Sequence, residues 1–369
     1  MRQSYDFSTA ERNRATTADR WSGVALALLA AILFGASVPL AKWLLGTVGP
    51  TTLAGLLYLG AGSGVGSLRL ARLRFESHRA EAPLLAADWA WLAAVVIVGG
   101  LIGPVLLMLG LRATPATHAA LLLNLENLFT LLIAWFVFHE NVDRRVASGA
   151  LAILAGAAFL SWQGEFGFAH PGGLAVAGAC LAWAIDNNLT RKLAMADPLL
   201  IVTVKGLVAG PVSLLLAAGL GEPFPAPALA LTAGAIGAIG YGGSLIAFVL
   251  ALRHLGAARA GAYFATAPFM AAAMAAIFLG ETVTFQLVAA GALMLAGVYL
   301  HLTERHDHVH THPAMTHNHR HRHDPHHQHR HGPNDPPGEP HAHAHQHEPL
   351  EHAHPHYPDS HHRHGHHRA

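Results

Sequence analysis

GLRATPATHAALLLNLENLFTLLIAWFVFHENV (residues 110–142) returns as ALRHLGAARAGAYFATAPFMAAAMAAIFLGETV (residues 251–283). Arg112 and Arg253 are 141 positions apart, as are Glu140 and Glu281 and, further on, Gly156 and Gly297. Both copies are apolar except at their junctions. An offset that holds over this length marks a repeated unit of several helices. If the unit crosses a membrane an odd number of times, its second copy sits upside down relative to the first, an arrangement typical of carriers.

The composition agrees with a membrane chain. Of 369 residues, 52% are hydrophobic and 12% charged, against about 25% charged in soluble domains. A net charge of +1 sets up no field that calls for nucleic acid. Cys180 is the single cysteine, so there is neither a disulfide framework nor a cysteine-based zinc site. Residues 1–20 are polar and carry Arg2, Arg12, Arg14 and Arg20. The apolar run that follows lacks a small-residue cleavage site and reads as a retained helix.

A spanning helix needs about 20 apolar residues. Ten windows qualify, near 22–45, 51–70, 89–110, 116–138, 145–162, 172–190, 199–219, 229–251, 257–279 and 284–302. The connectors hold helix stops such as Gly49–Pro50, Thr114–Pro115 and Gly221–Glu222–Pro223. With the N-terminus in the cytoplasm, fourteen Lys and Arg fall on inside segments, and only Lys42 and Arg112 fall outside. That asymmetry puts both termini in the cytoplasm. The expected architecture is an all-α membrane protein of ten transmembrane helices in two inverted five-helix repeats. Its parts are a cytoplasmic segment (1–20), the repeats (21–162 and 171–302) and a disordered His-rich tail (303–369). In the second helix Gly60, Gly62, Gly64 and Gly66 form small-residue faces for close helix contact.

The two quoted stretches resemble EamA-type members of the drug/metabolite transporter superfamily. There, an Ala-Leu-Arg helix end is followed by a helix with a mid-span proline that closes on Gly-Glu. The second copy fits through Leu252–Arg253, Pro268 and Gly280–Glu281. The first departs, with Asn127 at the proline position and His139 before Glu140. The resemblance covers about residues 22–302. It implies a carrier working by alternating access, with the fourth helix beside a central cavity, and it leaves the solute open.

Polar residues inside a membrane need a reason. Asn124, Glu126 and Asn127 lie near the middle of the fourth helix, Asn124 and Asn127 three apart on one face. The resemblance implies that Glu126 binds a solute amine or cation, or carries a coupled proton; a structural carboxyl with a partner is the alternative. Asp186, Asn187 and Asn188 follow Trp183 in the sixth helix. They read either as a polar cavity wall or inner gate, or as an interfacial helix end. Lys205, about two turns into the seventh helix, is expected to snorkel to the cytoplasmic surface, with an ion pair to Asp186 or Glu126 as the rival. The substrate and coupling candidates are therefore Asn124, Glu126, Asn127, Trp183, Asp186, Asn187 and Lys205. Pro39 and Pro104 are expected kinks. Glu140 and Glu281 read as packing or capping residues, and Asp143 and Thr284 as N-caps.

Of 30 histidines, 25 lie in residues 301–369. They fall in alternating runs: His306, His308, His310, His312; His317, His319, His321, His323; and His341, His343, His345, His347. Imidazole ligates Zn, Ni, Co and Cu, so the tail reads as a metal-binding segment. Few large apolar residues accompany it, and no packed core is expected.

The function expected is that of a secondary transporter of a small organic solute in the inner (plasma) membrane. The alternatives are a transition-metal (Zn/Ni/Co) transporter and a membrane-tethered metal buffer or sensor. No nucleophile elbow, phosphate loop or His-Glu-x-x-His motif points to an enzyme, and no cofactor is required. Expected partners are the solute, the lipid bilayer, divalent metal ions on the tail and a second copy in a homodimer, without nucleic acid.

Overall fold

A computed structural model describes residues 9–75, 88–138, 144–162, 171–190, 193, 197–255 and 257–302. In the C-terminal segment it describes 309–312, 315–321, 341–347 and 350–353. The helices are α1 (Thr9–Leu44), α2 (Pro50–Phe75), α3 (Asp88–Val95), α4 (Gly103–Ala113), α5 (Ala116–Leu122), α6 (Leu125–Phe138) and α7 (Arg144–Leu160). They continue as α8 (Pro171–Thr190), α9 (Pro198–Gly219), α10 (Pro227–Ile236), α11 (Ser244–Leu255), α12 (Ala257–Phe264), α13 (Ala267–Leu279) and α14 (Phe285–Leu302).

Among the described residues, six helical spans are long and apolar enough to cross a membrane: Ser22–Leu44, Asp88–Ala113, Ala116–Val137, Pro198–Gly219, Pro227–Leu252 and Arg259–Leu279. Arg145–Leu160 and Phe285–His301 are shorter apolar helices. Glycines dilute α2, and Asp186–Asn187–Asn188 dilute α8. The outer surface is itself greasy: Phe285 is 83% exposed and Ile277 74%. Such a surface suits lipid, and helices suit it because each backbone amide finds its partner within its own segment. The chain is a multi-pass membrane protein.

Two helical groups organise the bundle. In one, α8 packs against α3, α4 and α6; in the other, α1 packs against α11, α12 and α13. Two helix pairs, α2 with α9 and α7 with α14, complete it. The α2–α9 contact needs glycine on both sides. A Cβ on Gly206 would lie 2.5 Å from the Gly62 Cα, and one on Gly62 would lie 2.7 Å from the Leu207 amide.

Four spans read from the sequence as continuous helices are interrupted. Val96–Ile102 and Gly237–Gly243 are π-helical, joining α3 to α4 and α10 to α11. They begin 141 positions apart, the offset of the sequence repeat. The α5–α6 span breaks at Leu123–Asn124 and the α12–α13 span at Ala265–Thr266. At each break a side chain satisfies a carbonyl three residues earlier: Asn124 Nδ2 donates to Leu121 O at 2.9 Å and Thr266 Oγ1 to Tyr263 O at 2.6 Å. Pro268 opens α13 in the second copy, whereas the first copy breaks without a proline.

In the C-terminal segment four strands are described: β1 (Val309–His312), β2 (Met315–His321), β3 (His341–His347) and β4 (Leu350–Ala353). They form two antiparallel pairs, β1 with β4 and β2 with β3. The physical reason lies in the His-x-His alternation itself, whose period of two is that of a strand.

Candidate functional site

The π-helical turn at Val96–Ile102 builds the site. The Gly103 amide donates to Val98 O, and Pro104 has no N–H to offer. The Gly99 carbonyl is thereby released to side chains: Tyr58 Oη donates to it at 2.9 Å and Trp183 Nε1 at 3.1 Å. Pro104 thus acts through a change of helix type, where the sequence reading expected a kink. The turn's glycines also let side chains approach. A Cβ on Gly99 would lie 2.1 Å from Asp186 Cγ, and one on Gly103 would lie 2.7 Å from Trp183 Nε1.

Asp186 and Lys205 form a buried ion pair between α8 and α9, their side chains 7% and 15% exposed. Lys205 therefore does not snorkel; the carboxylate one helix away is nearer than the surface. Asp186 Oδ1 has no hydrogen-bond donor among the described residues. Asn187, the next residue, donates from Nδ2 to Glu126 Oε1 at 2.8 Å. The sequence-named Glu126, Trp183, Asn187 and Lys205 line one cavity of about 350 Å³. Asp186 stands behind Lys205. Phe34, Tyr58, Tyr241, Phe248 and Phe264 complete the aromatic lining. Sequence reasoning missed these rings because nothing in their local pattern separates a cavity-facing aromatic from a lipid-facing one. Gly99–Gly100 ahead of Pro104 was the available signal for the special turn.

Two named residues lie elsewhere. Asn124 is fully buried, with Nδ2 3.9 Å from Met294 Sδ, and Asn127 is exposed. Their expected common face is corrected: the break at Leu123–Asn124 removes the helical phase that would have aligned them. A larger recess of about 680 Å³ opens at one end of the bundle near Thr114, His118, Trp162 and Gln286. Its described lining contains no carboxylate, so the cavity lined by Glu126 is the candidate site. Among the described residues of the helical bundle no three His, Cys, Asp or Glu side chains converge as a metal cage. Of the tail histidines named above, His306, His308 and His323 lie outside the described residues, as do Glu140 and Asp143.

At the end of the bundle that holds Gly49 and Pro115, polar side chains clasp helix termini. Lys42 Nζ donates to Leu111 O at 2.7 Å, in the last turn of α4, and to Thr114 O at 2.9 Å, just past it. Glu281 accepts from the Ala116 and Thr117 amides at 2.7 and 2.8 Å, at the start of α5. Glu222 accepts from the amides of Thr51 at 3.2 Å and Thr52 at 2.8 Å, at the start of α2. Each charge has the sign that complements the helix end it meets. Partial burial pushes the Glu222 carboxyl up, but the Thr51 and Thr52 donors outweigh it and hold it below its ordinary value. Thr284 caps α14 by accepting from the Leu287 amide at 3.1 Å.

Known proteins share this build. The EamA-like transporter family model matches residues 21–162 and again 170–303. An uncharacterized transporter of Methanothermobacter thermautotrophicus is 29% identical over 295 residues, spanning 76% of this chain and 85% of that protein. A probable 4-amino-4-deoxy-L-arabinose-phosphoundecaprenol flippase subunit ArnE of Pseudomonas paraeruginosa is 36% identical over 111 residues, 30% of this chain and 94% of its own length. A solved crystal structure shares the fold with a TM-score of 0.54 at 24% identity, covering 76% of this chain and 96% of that one. The chain is a membrane transporter and belongs to the EamA-like transporter family.

Proposed function

We propose that this transporter is a secondary carrier of a small organic solute bearing a cationic amine, and that Glu126 binds the amine. One observation carries the reading: the charges in the cavity do not cancel. Lys205 is matched by Asp186, while the partner found for Glu126 among the described residues is the neutral amide of Asn187. A carboxylate left over among Phe34, Tyr58, Trp183, Tyr241, Phe248 and Phe264 offers an organic cation both a counter-ion and ring faces. About 350 Å³ lies at the lower end of ligand-pocket volumes, roughly 300–1,000 Å³. A transition-metal ion as cargo would meet aromatic walls and one free carboxylate in place of three or four ligands. The Pseudomonas relative is named for a cargo with an amino sugar, which agrees with this chemical class.

The carrier reading joins the helical spans, with α2, α7, α8 and α14, into ten crossings in two five-helix units, 21–162 and 171–302, of opposite orientation. The π-turns and helix breaks recurring near the sequence offset support it. The Lys and Arg distribution supports cytoplasmic termini in a plasma (inner) membrane. The Glu222–Glu281–Lys42 clasp then closes the outer face, and the cavity faces the cytoplasm. Alternating access exchanges these two closures, and Glu126 holds either the solute or a proton.

The test is uptake into proteoliposomes with a panel of primary amines and their uncharged or carboxylated isosteres. Amines should be carried in preference, and Glu126→Gln should abolish the preference while leaving inserted protein. Equal carriage of neutral isosteres, or unchanged amine uptake by Glu126→Gln, overturns the assignment.

A further inference from the structure

The histidine-rich strands pair in a defined register. In the antiparallel pair β2–β3, His317 lies opposite His345, His319 opposite His343 and His321 opposite His341. The intervening rungs are Thr316–Gln346, Asn318–Ala344 and Arg320–Ala342. Successive residues of a strand alternate between faces. All seven histidines of these two strands, which hold seven residues each, therefore belong to one face, and the other face has none. A one-residue slip would divide them between faces.

The spacing suits metal coordination. Directly opposed residues in an antiparallel pair keep their Cβ atoms about 4.5–5.5 Å apart, and same-face rungs recur at about 6.6–6.8 Å. Zinc takes four ligands in a tetrahedron with Zn–N of about 2.0–2.1 Å. Two opposed imidazoles from one rung and two from the next same-face rung can supply that shell. Imidazole donors suit Zn, Cu, Ni and Co, not Mg or Ca. An isolated two-stranded ribbon is marginal in water, so metal binding and strand pairing stabilise one another.

We infer that β2 and β3 form a transition-metal site in which the cross-strand pairs His317–His345, His319–His343 and His321–His341 make a ladder of imidazoles along one face. The site is separate from the transport cavity and does not depend on which solute the helices carry. Because the ligands must be neutral, occupancy falls as pH drops through about 6.5, the ordinary imidazole value.

The test is zinc titration of the full-length protein in detergent, with Co²⁺ absorption reporting coordination geometry. Asn318→Pro retains every histidine but removes a backbone donor and the strand conformation around it. His319→Ala with His343→Ala removes one rung. His361→Ala with His366→Ala removes the same number of histidines from outside the strands. The first two variants should weaken the tightest Zn²⁺ site by roughly tenfold or more, the scale of lost preorganisation, and the third should leave it within about twofold. The tetrahedral Co²⁺ spectrum should fade with the same two variants. All of these substitutions lie beyond α14, so lost binding cannot be read as an unfolded bundle. Unchanged affinity in Asn318→Pro, or equal losses in the two histidine double variants, would show chelation without register and overturn the ladder. Absence of zinc binding at neutral pH would overturn it equally.

Discussion

The two sides of the cavity share a backbone device and differ in chemistry. One side is built by the π-turn at Val96–Ile102 with α6 and α8; the other by the π-turn at Gly237–Gly243 with α1 and α12. Gly99 and Gly240 occupy equivalent places 141 positions apart, but a Cβ on Gly99 would strike Asp186 and one on Gly240 would meet Ser37. Glu126 corresponds by the same offset to Ala267, and Pro104 to Leu245. The first side therefore holds Glu126, Asp186 and Asn187; the second holds Phe34, Tyr241, Phe248 and Phe264. Duplication supplied hinges and close approaches in both copies, while the charge was placed on one side. On the proposed reading, a cargo between them meets Glu126 and Trp183 on one wall and the rings of Phe34, Tyr241, Phe248 and Phe264 on the other.

Four experiments can break or sharpen this contrast. The largest effect should come from Asp186→Asn, which strands Lys205 in the interior. Removing one partner of a buried pair costs about 3–5 kcal/mol, read as a lowered unfolding midpoint in detergent. Replacing both as Asp186→Leu with Lys205→Met should recover most of that stability. If the single variant melts like wild type, the pair does not anchor the polar wall.

Next is Glu126→Gln. A charge-assisted contact contributes about 1.5–3 kcal/mol, which is roughly 10- to 150-fold in amine affinity. Phe264→Leu, on the other wall, should cost less, about 2- to 30-fold, since cation–π contacts contribute about 0.5–2 kcal/mol. Competition binding with a carried amine measures both, and equal losses would dissolve the distinction between the walls.

Smaller still is a matched pair of glycine substitutions. Gly99→Ala places a Cβ 2.1 Å from Asp186 Cγ, whereas Gly240→Ala places one 2.9 Å from Ser37 Cβ. Overpacking costs about 1–3 kcal/mol, and Gly99→Ala should fall at the upper end. Trp183 fluorescence should shift in that variant alone.

The smallest effect belongs to Glu222. Loss of its cap on α2 by Glu222→Gln should cost about 1 kcal/mol. Its folded-state carboxyl titrates below the ordinary 4.5, so its contribution is complete above that pH and is lost as pH falls through the lowered value. The melting curves of wild type and Glu222→Gln should therefore converge in acid and separate above about pH 4.5.

Much of this was legible in the sequence, for identifiable reasons. Apolar length and Gly-Pro connectors determine where helices lie, and the offset between Arg112 and Arg253 exposed the repeat. Glu126, Trp183, Asn187 and Lys205 stood out because polar groups in apolar spans are costly. What escaped depends on tertiary phase. Asn124 and Asn127 share a face only if the helix is continuous, and its break carries no proline to announce it. Lys205 has the length to reach water, and only the position of α8 determines that it turns to Asp186. In the tail, polarity argued against a packed core, and the His-x-His alternation was read for metal ligation alone.

In the proposed cycle, the clasp at the Gly49–Pro115 end has a kinetic consequence. Lys42, on α1, grips the end of α4 in the other group, while Glu281, just past α13, grips the start of α5, which packs on α13 itself. Under the proposed alternating access, rocking that parts the two groups at that end must release the Lys42 ammonium from the carbonyls at the end of α4. That release is an activation barrier independent of cargo chemistry, and it acts as an escapement. Solute affinity and turnover can then be tuned separately, the first in the cavity and the second at a helix end far from it.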